Sequence, residues 1–552
     1  MLTDKKQLQN LAEVRHVSSE ITDISPQEVR FTSSPSAIQI PEQESTARRR
    51  WNYLIFTLCA SLYLLPFMRV ISLGTDEGLL VYGAVRVANG QVFARDFSEI
   101  VGPGTFYWLA IFFKLLGVTF WAAHVCLFLT SLVTGLLMYF LSRRVCRKYQ
   151  ALSCVILAGT SFGMMWPIIS HHVDSNCFAL MAVACMIVGL DRRTNLLLFT
   201  AGALAGVTTC FLQPKGALLL VALVLWLGAQ LLRRLASIPE LGWLIAGYCG
   251  VAAIVLLYFW SQHALWDLYS ANFVFPSRHY STFNVVPYAT GIIWYYWNVW
   301  IGHGTGNTWL VGLATVLIIP FLFVAALPAI VGILGFLNRN KPAKPEILLY
   351  WLCGGALWLS EIHRKDIFHL VFGSPLLIIL CIYYIEEYQA KVARWTLQIL
   401  SVSACCLAVF NLFLVLYAQP MATRAGSVAV LKNDPVVTAL ESRVSLGEEI
   451  FVYPYCPIYY FLSGTTNPTR WSGIGYGYNS ASDFQEVVRI LDQRRVRHVV
   501  WDTLYQEKVK VMFPSVKPPG PDELIIEPYL ESHYRVVWKD NGVLIMERKN
   551  ED

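Results

Sequence analysis

Charged residues are scarce in this chain. Asp, Glu, Lys and Arg make up only 14% of its 552 residues, and hydrophobic residues make up 55%, whereas a typical soluble protein carries about 25% charged residues. The apolar excess falls in long uncharged segments, which a lipid bilayer solvates far better than water does. The composition therefore excludes a water-soluble enzyme and predicts that most of the chain lies within a membrane.

Signals for several other classes of protein are also missing. The net charge is only +6, and the basic residues lie in short turns between apolar segments, so nucleic-acid binding is not indicated. The sequence has neither a Walker A loop nor a Rossmann glycine pattern after a strand, which argues against an ATP-driven or nucleotide-sugar reaction. None of the 13 cysteines forms a CxxC pair, and we interpret them as small buried hydrophobic residues.

Eleven apolar segments have lengths close to the roughly 20 residues that a helix needs to cross a bilayer. They are residues 51–73, 119–141, 150–168, 176–190, 195–212, 216–232, 241–260, 308–337, 346–360, 367–385 and 395–417. Residues 1–50 before them are polar and end in three arginines. Because the first apolar segment begins far from Met1, we predict a disordered cytoplasmic tail rather than a cleavable signal peptide.

Basic residues fall in every second turn between these segments. The basic turns are residues 48–50, 143–148, 192–193, 233–234, 339–344 and 391–394. By the positive-inside rule these turns are cytoplasmic, so the N-terminus is inside and an odd number of spans leaves the C-terminus outside. The intervening turns then face outward, and they hold most of the acids, imidazoles and remaining cations of the membrane region.

The composition changes to that of a soluble protein after Tyr417. The elements predicted there are strands at 449–453 and 496–501, a helix at 482–494 capped by Ser482, and a hairpin at 534–548 around Asp540, Asn541 and Gly542. We therefore predict a polytopic α-helical membrane protein with about eleven transmembrane helices over 51–417. A small extracytoplasmic α/β domain is predicted over 418–552.

The first outward turn, at about residues 74–104, carries two adjacent acids, Asp76 and Glu77. A carboxylate at the lip of a membrane cavity is partly desolvated and can act as a general base toward an acceptor hydroxyl. We assign that role to Asp76. The alternation of apolar with small and polar residues over 79–87 predicts an interfacial amphipathic helix after it. The structural alternative is that Thr75 caps a helix and that both acids complement the dipole at its N-terminus.

A further acid, Asp96, follows in the same loop before a Gly-Pro-Gly turn at residues 102–104. Asp96 is a candidate to orient the acceptor, or to hold a divalent cation together with Asp76. The alternative is a surface ion pair with Arg95, as is common for neighbouring Arg and Asp residues. The predicted catalytic set is therefore Asp76, Glu77 and Asp96, and a divalent cation is left open as a cofactor.

Three further outward turns carry residues suited to binding a phosphate or a sugar. These residues are His171, His172 and Asp174, then Lys215, then Arg364, Lys365, Asp366 and His369. Cations on the side where the positive-inside rule does not expect them indicate a phosphate clamp. The alternatives are interfacial polar residues for the histidines, snorkelling for Lys215, and neutralisation of Arg364 by neighbouring acids.

Together these residues describe an outward-facing site with carboxylates on one side and cations on the other, opening toward lipid. Such a site fits a substrate with a hydrocarbon tail and a phosphate head group. The carboxylate would deprotonate an incoming hydroxyl while the cations stabilise the departing lipid phosphate. This interpretation requires that Asp76 and Arg364 lie at the same face of the membrane.

The order of short motifs along the chain is similar to that of a known family. The motifs are Thr75-Asp76-Glu77-Gly78 with Tyr82, Arg95-Asp96-Phe97, Gly102-Pro103-Gly104, Ser170-His171-His172, Gln213-Pro214-Lys215-Gly216, and Arg364-Lys365-Asp366 with His369. Over about residues 51–417 the chain resembles bacterial GT-C superfamily glycosyltransferases, the membrane branch with protein O-mannosyltransferase-like and aminoarabinose-transferase-like enzymes. The resemblance implies that Asp76 is the catalytic acid and Asp96 its acidic partner. It also implies a polyprenyl-phosphate-linked sugar donor and inversion of the anomeric centre.

We therefore expect an inner-membrane enzyme that moves a hexose or pentose from a polyprenyl phosphate to an envelope lipid, glycan or protein. The Trp-Trp-Asp signature of oligosaccharyltransferase catalytic subunits is absent. Two other classes stay open, a secondary transporter of a small solute and a non-catalytic scaffold with an external binding domain. A transporter would place charges at the bilayer midplane in repeated halves, whereas the spans here are nearly free of charge and show no repeat. A scaffold would leave the outer acids and cations unexplained.

Overall fold

The computed structural model of the chain is helical up to Tyr417 and contains a small mixed domain after it. It describes residues 46–71, 76–162, 168–280, 286, 288, 312–313, 316, 319–340, 344–388, 391–430, 434–512, 516 and 518–550. The predicted cytoplasmic tail lies outside these residues except for its last five, which are helical and begin the first membrane helix.

The described part of the membrane region is built mainly from apolar helices. The helices are α1 (Thr46–Leu64), α2 (Asp76–Ala88), α3 (Gly104–Leu116), α4 (Phe120–Val145), α5 (Leu152–Phe162), α6 (His171–Asp191), α7 (Asn195–Phe211), α8 (Gln213–Leu232), α9 (Ile238–Ser261), α10 (Leu265–Tyr269), α11 (Leu327–Leu337), α12 (Pro345–Ser360), α13 (Ile367–Phe372), α14 (Pro375–Tyr388) and α15 (Lys391–Tyr417). Six of them, α1 with its 3₁₀ extension, α4, α6, α8, α9 and α15, are long and apolar enough to cross a membrane. Most predicted spans coincide with an apolar helix. The span at 367–385 is divided between α13 and α14, and the spans at 51–73, 150–168 and 308–337 lie partly outside the described residues. The remaining helices are shorter within the described residues, so the count of eleven spans is not confirmed.

Three of the basic turns, residues 143–148, 192–193 and 339–344, lie together at one end of the helical bundle. The guanidinium of Arg144, near the end of α4, lies 2.9 Å from Glu346 at the start of α12 and 2.8 Å from Asp191 at the end of α6. The ammonium of Lys344 donates to the carbonyl of Arg144 at 2.8 Å. Since α4 has 26 residues, its other end lies roughly 39 Å away. The relative positions of these turns therefore agree with the predicted alternation.

The outward turns meet at the opposite end, where the first external loop packs directly on the backbone of α7. A Cβ atom on Gly102 would lie 2.4 Å from the carbonyl oxygen of Cys210, and one on Gly104 would lie 2.7 Å from the amide nitrogen of Phe211. Such distances leave no room for any side chain. The Gly-Pro-Gly turn predicted from the sequence therefore serves as a close backbone contact that holds the loop against the membrane helices.

The helix that carries Asp76 is buried within the protein. The alternation of apolar and polar residues after Asp76 predicted an interfacial amphipathic helix, but α2 is enclosed on nearly all sides. The ring of Tyr82 stacks on Tyr460 of the external domain with a centroid distance of 4.7 Å, and Leu80 shares a core with Phe106 of α3. That interpretation is therefore wrong, because polar residues on α2 contact protein rather than lipid head groups.

A small domain with a mixed sheet follows α15. Its elements are β1 (Gln419–Thr423), β2 (Gly426–Val430), α16 (Pro435–Glu441), β3 (Ile450–Tyr453), α17 (Ile458–Ser463), α18 (Ala481–Gln493), β4 (His498–Asp502), α19 (Tyr505–Met512), α20 (Ile526–His533), β5 (Tyr534–Asp540) and β6 (Val543–Arg548). Strands β1 and β2 form a separate antiparallel hairpin, and the larger sheet has the order β3-β4-β6-β5. Only the β3–β4 pair is parallel. The predicted strands, helix and hairpin correspond to β3, β4, α18 and β5–β6.

Local turn chemistry explains two ends of these elements. Helix α18 is capped by Ser480, which forms a capping box with Asp483, so the prediction of Ser482 as the cap is wrong. Ser480 has extended backbone angles outside the helix, as a capping residue needs, whereas Ser482 lies within the first turn. The turn between β5 and β6 has positive φ angles at Asn541 (43°) and Gly542 (81°), as a type I′ hairpin requires.

The external domain rests on the first external loop and on the ends of the membrane helices. The amide of Ile71, after α1, donates to the carbonyl of Ala429 at 3.0 Å, and the amide of Ser98 donates to Arg470 at 3.0 Å. The guanidinium of Arg86 in α2 is buried and donates to the carbonyl of Thr469 at 3.1 Å. The domain therefore forms one wall of the region around Asp76.

Candidate active site

Asp76 is an exposed acid at the N-terminus of α2. The phenolic hydroxyl of Tyr455 in the external domain donates a hydrogen bond to its Oδ1 at 3.3 Å. The partial positive charge of the helix N-terminus also stabilises a carboxylate at this position. Thr75 lies outside the described residues, so its proposed capping role stays a prediction. Asp76 is thus held in place while its carboxylate remains accessible.

Glu77 points in the opposite direction, into the protein. It is 1% exposed, and its Oε1 lies 3.4 Å from the amide nitrogen of Ile169 and 3.4 Å from Nε2 of His124. Because Glu77 is surrounded by protein, it ties α2 to the segment before α6. Its neighbour Asp76 is the acid of this pair that a substrate can approach.

Asp96 is occupied by neighbours in its own loop. The guanidinium of Arg95 donates to both of its carboxylate oxygens at 2.8 Å, and the amide of Val92 donates to Oδ2 at 2.7 Å. The hydrogen bonds from Arg95 lower the pKa of Asp96. This arrangement matches the structural alternative for Asp96, and the structure does not bring Asp96 into hydrogen-bonding contact with Asp76.

Glu99 is a buried acid in the same loop. It was not among the site residues predicted from the sequence. It is 8% exposed and accepts a hydrogen bond from the amide of Ser472 at 3.2 Å. Burial raises its pKa to about 7, and the nearby charge of Asp76 contributes to that increase. A titratable group with a perturbed pKa beside another acid is typical of functional sites.

Glu99 also lines a cavity of about 220 Å³ at the outer face. The walls come from residues 98–100 of the first external loop, residues 266–275 after α9, and residues 470–483 of the external domain. Three parts of the chain that are distant in sequence therefore enclose a single space next to the acids of the loop.

Lys215 lies at the centre of a buried network in the outer half of the membrane region. Its side chain is 0% exposed, and its Nζ lies 2.6 Å from Oε1 of Glu361. The same Nζ donates to Asn176 at 2.9 Å and to Ser175 at 3.2 Å. All three protons of the ammonium thus have protein partners, and the side chain does not snorkel to the interface.

The same network brings four of the other predicted residues together. Nδ1 of His172 lies 3.0 Å from Oε2 of Glu361, and the ring of His369 meets the ring of His172 edge-on at a centroid distance of 4.8 Å. Asp366 joins His369 to Arg364, since its oxygens lie 2.8 Å from Nδ1 of His369 and 3.0 Å from Nε of Arg364. Glu361 was not among the site residues predicted from the sequence, although it is the first charged residue of the turn at 361–369.

The remaining predicted residues border the network. The ring of His171 lies 4.0 Å from that of His172. Asp174 is buried and accepts a hydrogen bond from the hydroxyl of Thr105 at 2.8 Å, which links α6 to α3. Lys365 is half-buried in the turn before α13 and forms no hydrogen bond or ion pair with the described residues.

The two groups of residues belong to one continuous layer. Glu77 contacts Ile169, which lies two residues before the start of α6, and His172 in the first turn of α6 reaches the turn at 361–369. Asp76 and Arg364 therefore lie at the same end of the bundle, as the interpretation of the sequence requires.

A preformed metal site is not found in this part of the structure. Among the described residues, no group of three or more His, Cys, Asp or Glu side chains has an arrangement that would hold a metal ion. The carboxylates of Asp76 and Asp96, which were considered as joint ligands, have separate partners. The contacts described here therefore assign no residue to a divalent cation.

Comparison with known proteins identifies a related family and a related fold. Residues 101–266 match the family model described as dolichyl-phosphate-mannose-protein mannosyltransferase. No curated protein matches the chain significantly. Two solved structures of ArnT from Cupriavidus metallidurans share the fold at 13% sequence identity, with TM-scores of 0.53 for the apo state and 0.50 for the state bound to undecaprenyl phosphate. Each alignment covers 91% of this chain and 98% of the ArnT chain.

The family match and the fold agree with each other. The matched segment includes α3 and the helices from α4 to α9, and the shared fold extends over nearly the whole chain, including the external domain. Together they confirm the predicted resemblance of this chain to the GT-C superfamily of integral-membrane glycosyltransferases.

Proposed function

We propose that this protein transfers a sugar from a polyprenyl phosphate to an acceptor at the outer face of the membrane, with Asp76 as general base. The observation that carries the proposal is the contrast between Asp76 and the acids around it. Asp76 is exposed and, among the described residues, is hydrogen-bonded by the hydroxyl of Tyr455. Glu77, Asp96 and Glu361 are instead held by fixed partners.

The proposed reaction follows from this placement. A carboxylate oxygen of Asp76 accepts the proton of an acceptor hydroxyl, and the acceptor oxygen forms a bond to the anomeric carbon of the donor sugar. The bond between that carbon and the phosphate oxygen breaks, and its electron pair leaves with the lipid phosphate. Attack from the face opposite the phosphate inverts the anomeric centre.

The departing phosphate gains negative charge and needs cations near it. We assign this role to Arg364 and Lys365 rather than directly to Lys215. All three ammonium protons of Lys215 already have partners, whereas Lys365 forms no ion pair with the described residues and the side chain of Arg364 is 26% exposed. Lys215 would then hold Glu361, and through it His172, in position.

The donor, acceptor and location are part of the same proposal. The state of ArnT that shares this fold is bound to undecaprenyl phosphate, which supports a polyprenyl-phosphate sugar as donor here. We propose an envelope lipid, glycan or protein as acceptor and an inner-membrane location, with the N-terminus cytoplasmic and the domain after α15 outside. The basic turns at the end opposite Asp76 support that orientation.

The proposal can be tested with the full chain in lipid nanodiscs. Hexose-linked and pentose-linked undecaprenyl phosphates serve as donors, an envelope extract supplies the acceptor, and mass spectrometry measures the product and the released undecaprenyl phosphate. The Asp76→Asn variant should lower the transfer rate by about 10²–10⁴-fold, as expected on loss of a general base. The Asp522→Asn variant, which changes an exposed acid of the external domain, should retain the wild-type rate.

Retained transfer in Asp76→Asn would reject the assignment of the base. Counterflow of a solute in proteoliposomes, with no glycosylated product from any donor, would instead favour the transporter.

A further inference from the structure

The proposed transfer step does not use the cavity of about 220 Å³ that Glu99 lines. It is smaller than the roughly 300–1,000 Å³ of pockets for drug-sized ligands, but holds several water volumes of about 30 Å³. It lies between two segments of the membrane region and the external domain. A ligand there would be one small ring or a single unit of a larger molecule.

Aromatic side chains form much of the cavity wall. Trp266 comes from α10, and Trp471 and Tyr478 come from the external domain. Trp266 is 73% exposed, so most of its ring surface is accessible to a ligand in the cavity. The flat rings and the carbon-bound hydrogens of a sugar ring are complementary in shape and polarity.

Carboxylates supply the polar part of the wall. Glu99, Asp267 and Asp483 line the cavity together with a single cation, Arg470. The guanidinium of Arg470 already donates to the carbonyl of Ala94 at 2.9 Å. Carboxylate oxygens such as those of Asp267 and Asp483 accept hydrogen bonds, so this wall suits the hydroxyl or amino groups of a ligand better than a phosphate. This cavity therefore differs in charge from the turn with Arg364 and Lys365.

We propose that this cavity binds one phosphate-free sugar ring of the acceptor. The inference rests on the proposed glycosyl transfer and adds the chemical class of the acceptor. Gly473 of the cavity wall forms an isolated β-bridge with Tyr455, and the hydroxyl of Tyr455 donates to Asp76, so the cavity lies beside the proposed base. A ring held between Trp266 and Trp471 would present a hydroxyl toward the first external loop.

The test uses the full chain in nanodiscs without a donor, so that binding is measured apart from transfer. Saturation-transfer NMR is recorded with methyl glycosides of glucose, mannose and N-acetylglucosamine, and with inorganic phosphate as the anionic probe. At least one glycoside should bind and phosphate should not bind in the cavity. The Asp267→Asn and Trp266→Ala variants should each weaken that glycoside at least tenfold.

Matched controls separate a local effect from misfolding. Glu486→Gln changes an exposed acid of α18, and Trp395→Ala changes a tryptophan of α15 that is 66% exposed; both should bind like the wild type. Asp76→Asn should also retain glycoside binding, so loss of transfer in that variant with binding intact supports both proposals. Retained transfer with binding intact would reject the base and leave the cavity assignment standing.

Three outcomes would overturn the inference. They are the absence of binding by every glycoside, unchanged affinity in both cavity variants, and displacement of the bound glycoside by undecaprenyl phosphate. The last result would assign the sugar ring to the donor instead of the acceptor.

Discussion

Two acidic centres at the end of the bundle opposite Arg144 differ in what surrounds them. The carboxylate of Asp76 is exposed and receives a hydrogen bond of 3.3 Å from Tyr455. The carboxylate of Glu361 is 0% exposed, lies 2.6 Å from the ammonium of Lys215, and also contacts His172. A carboxylate that accepts a proton from a substrate must be accessible to that substrate. A carboxylate that neutralises a buried cation does not need to be accessible. The difference in exposure fits the proposed role of Asp76 as general base and a positioning role for Glu361.

The largest expected effect comes from breaking the second centre. Lys215→Met leaves the charge of Glu361 buried without its cation, and removal of one partner of a buried pair costs about 3–5 kcal/mol. The apparent unfolding temperature in nanodiscs should fall sharply. The double variant Lys215→Met with Glu361→Leu removes both charges and should recover much of the loss.

If the double variant lowered the unfolding temperature as much as Lys215→Met does, the loss could not be explained by an unpaired charge on Glu361. Wild-type stability in Lys215→Met would mean that the pair does not hold the turn at 361–369 in place. Asp76→Asn sharpens the comparison, because it should reduce transfer without lowering the unfolding temperature.

A smaller effect depends on pH through Glu99. Burial raises the pKa of Glu99 from 4.5 to about 7, so the native protein keeps a proton that the unfolded chain has already lost between these values. Stability should therefore fall as pH rises from 5 to 7, by about 1 kcal/mol per pH unit from this group. Glu99→Gln should remove this part of the decrease, measured as the difference between the two unfolding profiles.

Identical pH profiles for the wild type and Glu99→Gln would show that Glu99 does not titrate in this range. If stability fell more steeply with pH in Glu99→Gln than in the wild type, Glu99 would stabilise the protein as pH rises, and the argument that burial raises its pKa would be rejected.

The smallest expected effect concerns the hydroxyl that holds Asp76. Tyr455→Phe removes a single neutral donor, and such bonds contribute about 0.5–1.5 kcal/mol. The contact is long, so transfer should slow by only about 2–10-fold. The decrease should appear in kcat rather than in KM for the donor, because Tyr455 acts on the base and not on the lipid. A change in KM alone would assign Tyr455 to substrate binding.

Local patterns in the sequence were sufficient for many elements of the fold. Apolar runs of membrane length specify helices, and the Asn541-Gly542 pair specifies its hairpin because both residues readily adopt positive φ. The error at Ser482 arose because Ser480 two residues earlier has equal capping chemistry, and only backbone geometry separates them. The burial of α2 depends on Tyr460, which is far away in sequence.

The candidate site was predictable only in part. Outward cations and acids could be selected from charge and sidedness, and five of them meet in the structure. The contacts between these residues could not be predicted from the sequence, because partners such as Lys215 and Glu361 are far apart along the chain, with several helices between them. Glu99 resembles any polar loop residue in the sequence, and only its burial in the folded protein, where the amide of Ser472 contacts it, raises its pKa.

The contact between Gly102 and the carbonyl of Cys210 constrains how this protein can vary. A single added methyl group would have to push the first external loop away from α7, because its nearest neighbour is main chain that cannot rotate aside. Glu99 lies three residues earlier on that loop, so the displacement would reach the acids without altering any of them. A substitution at Gly102 would therefore lower activity by displacing the loop that carries the acids, without changing any acidic side chain.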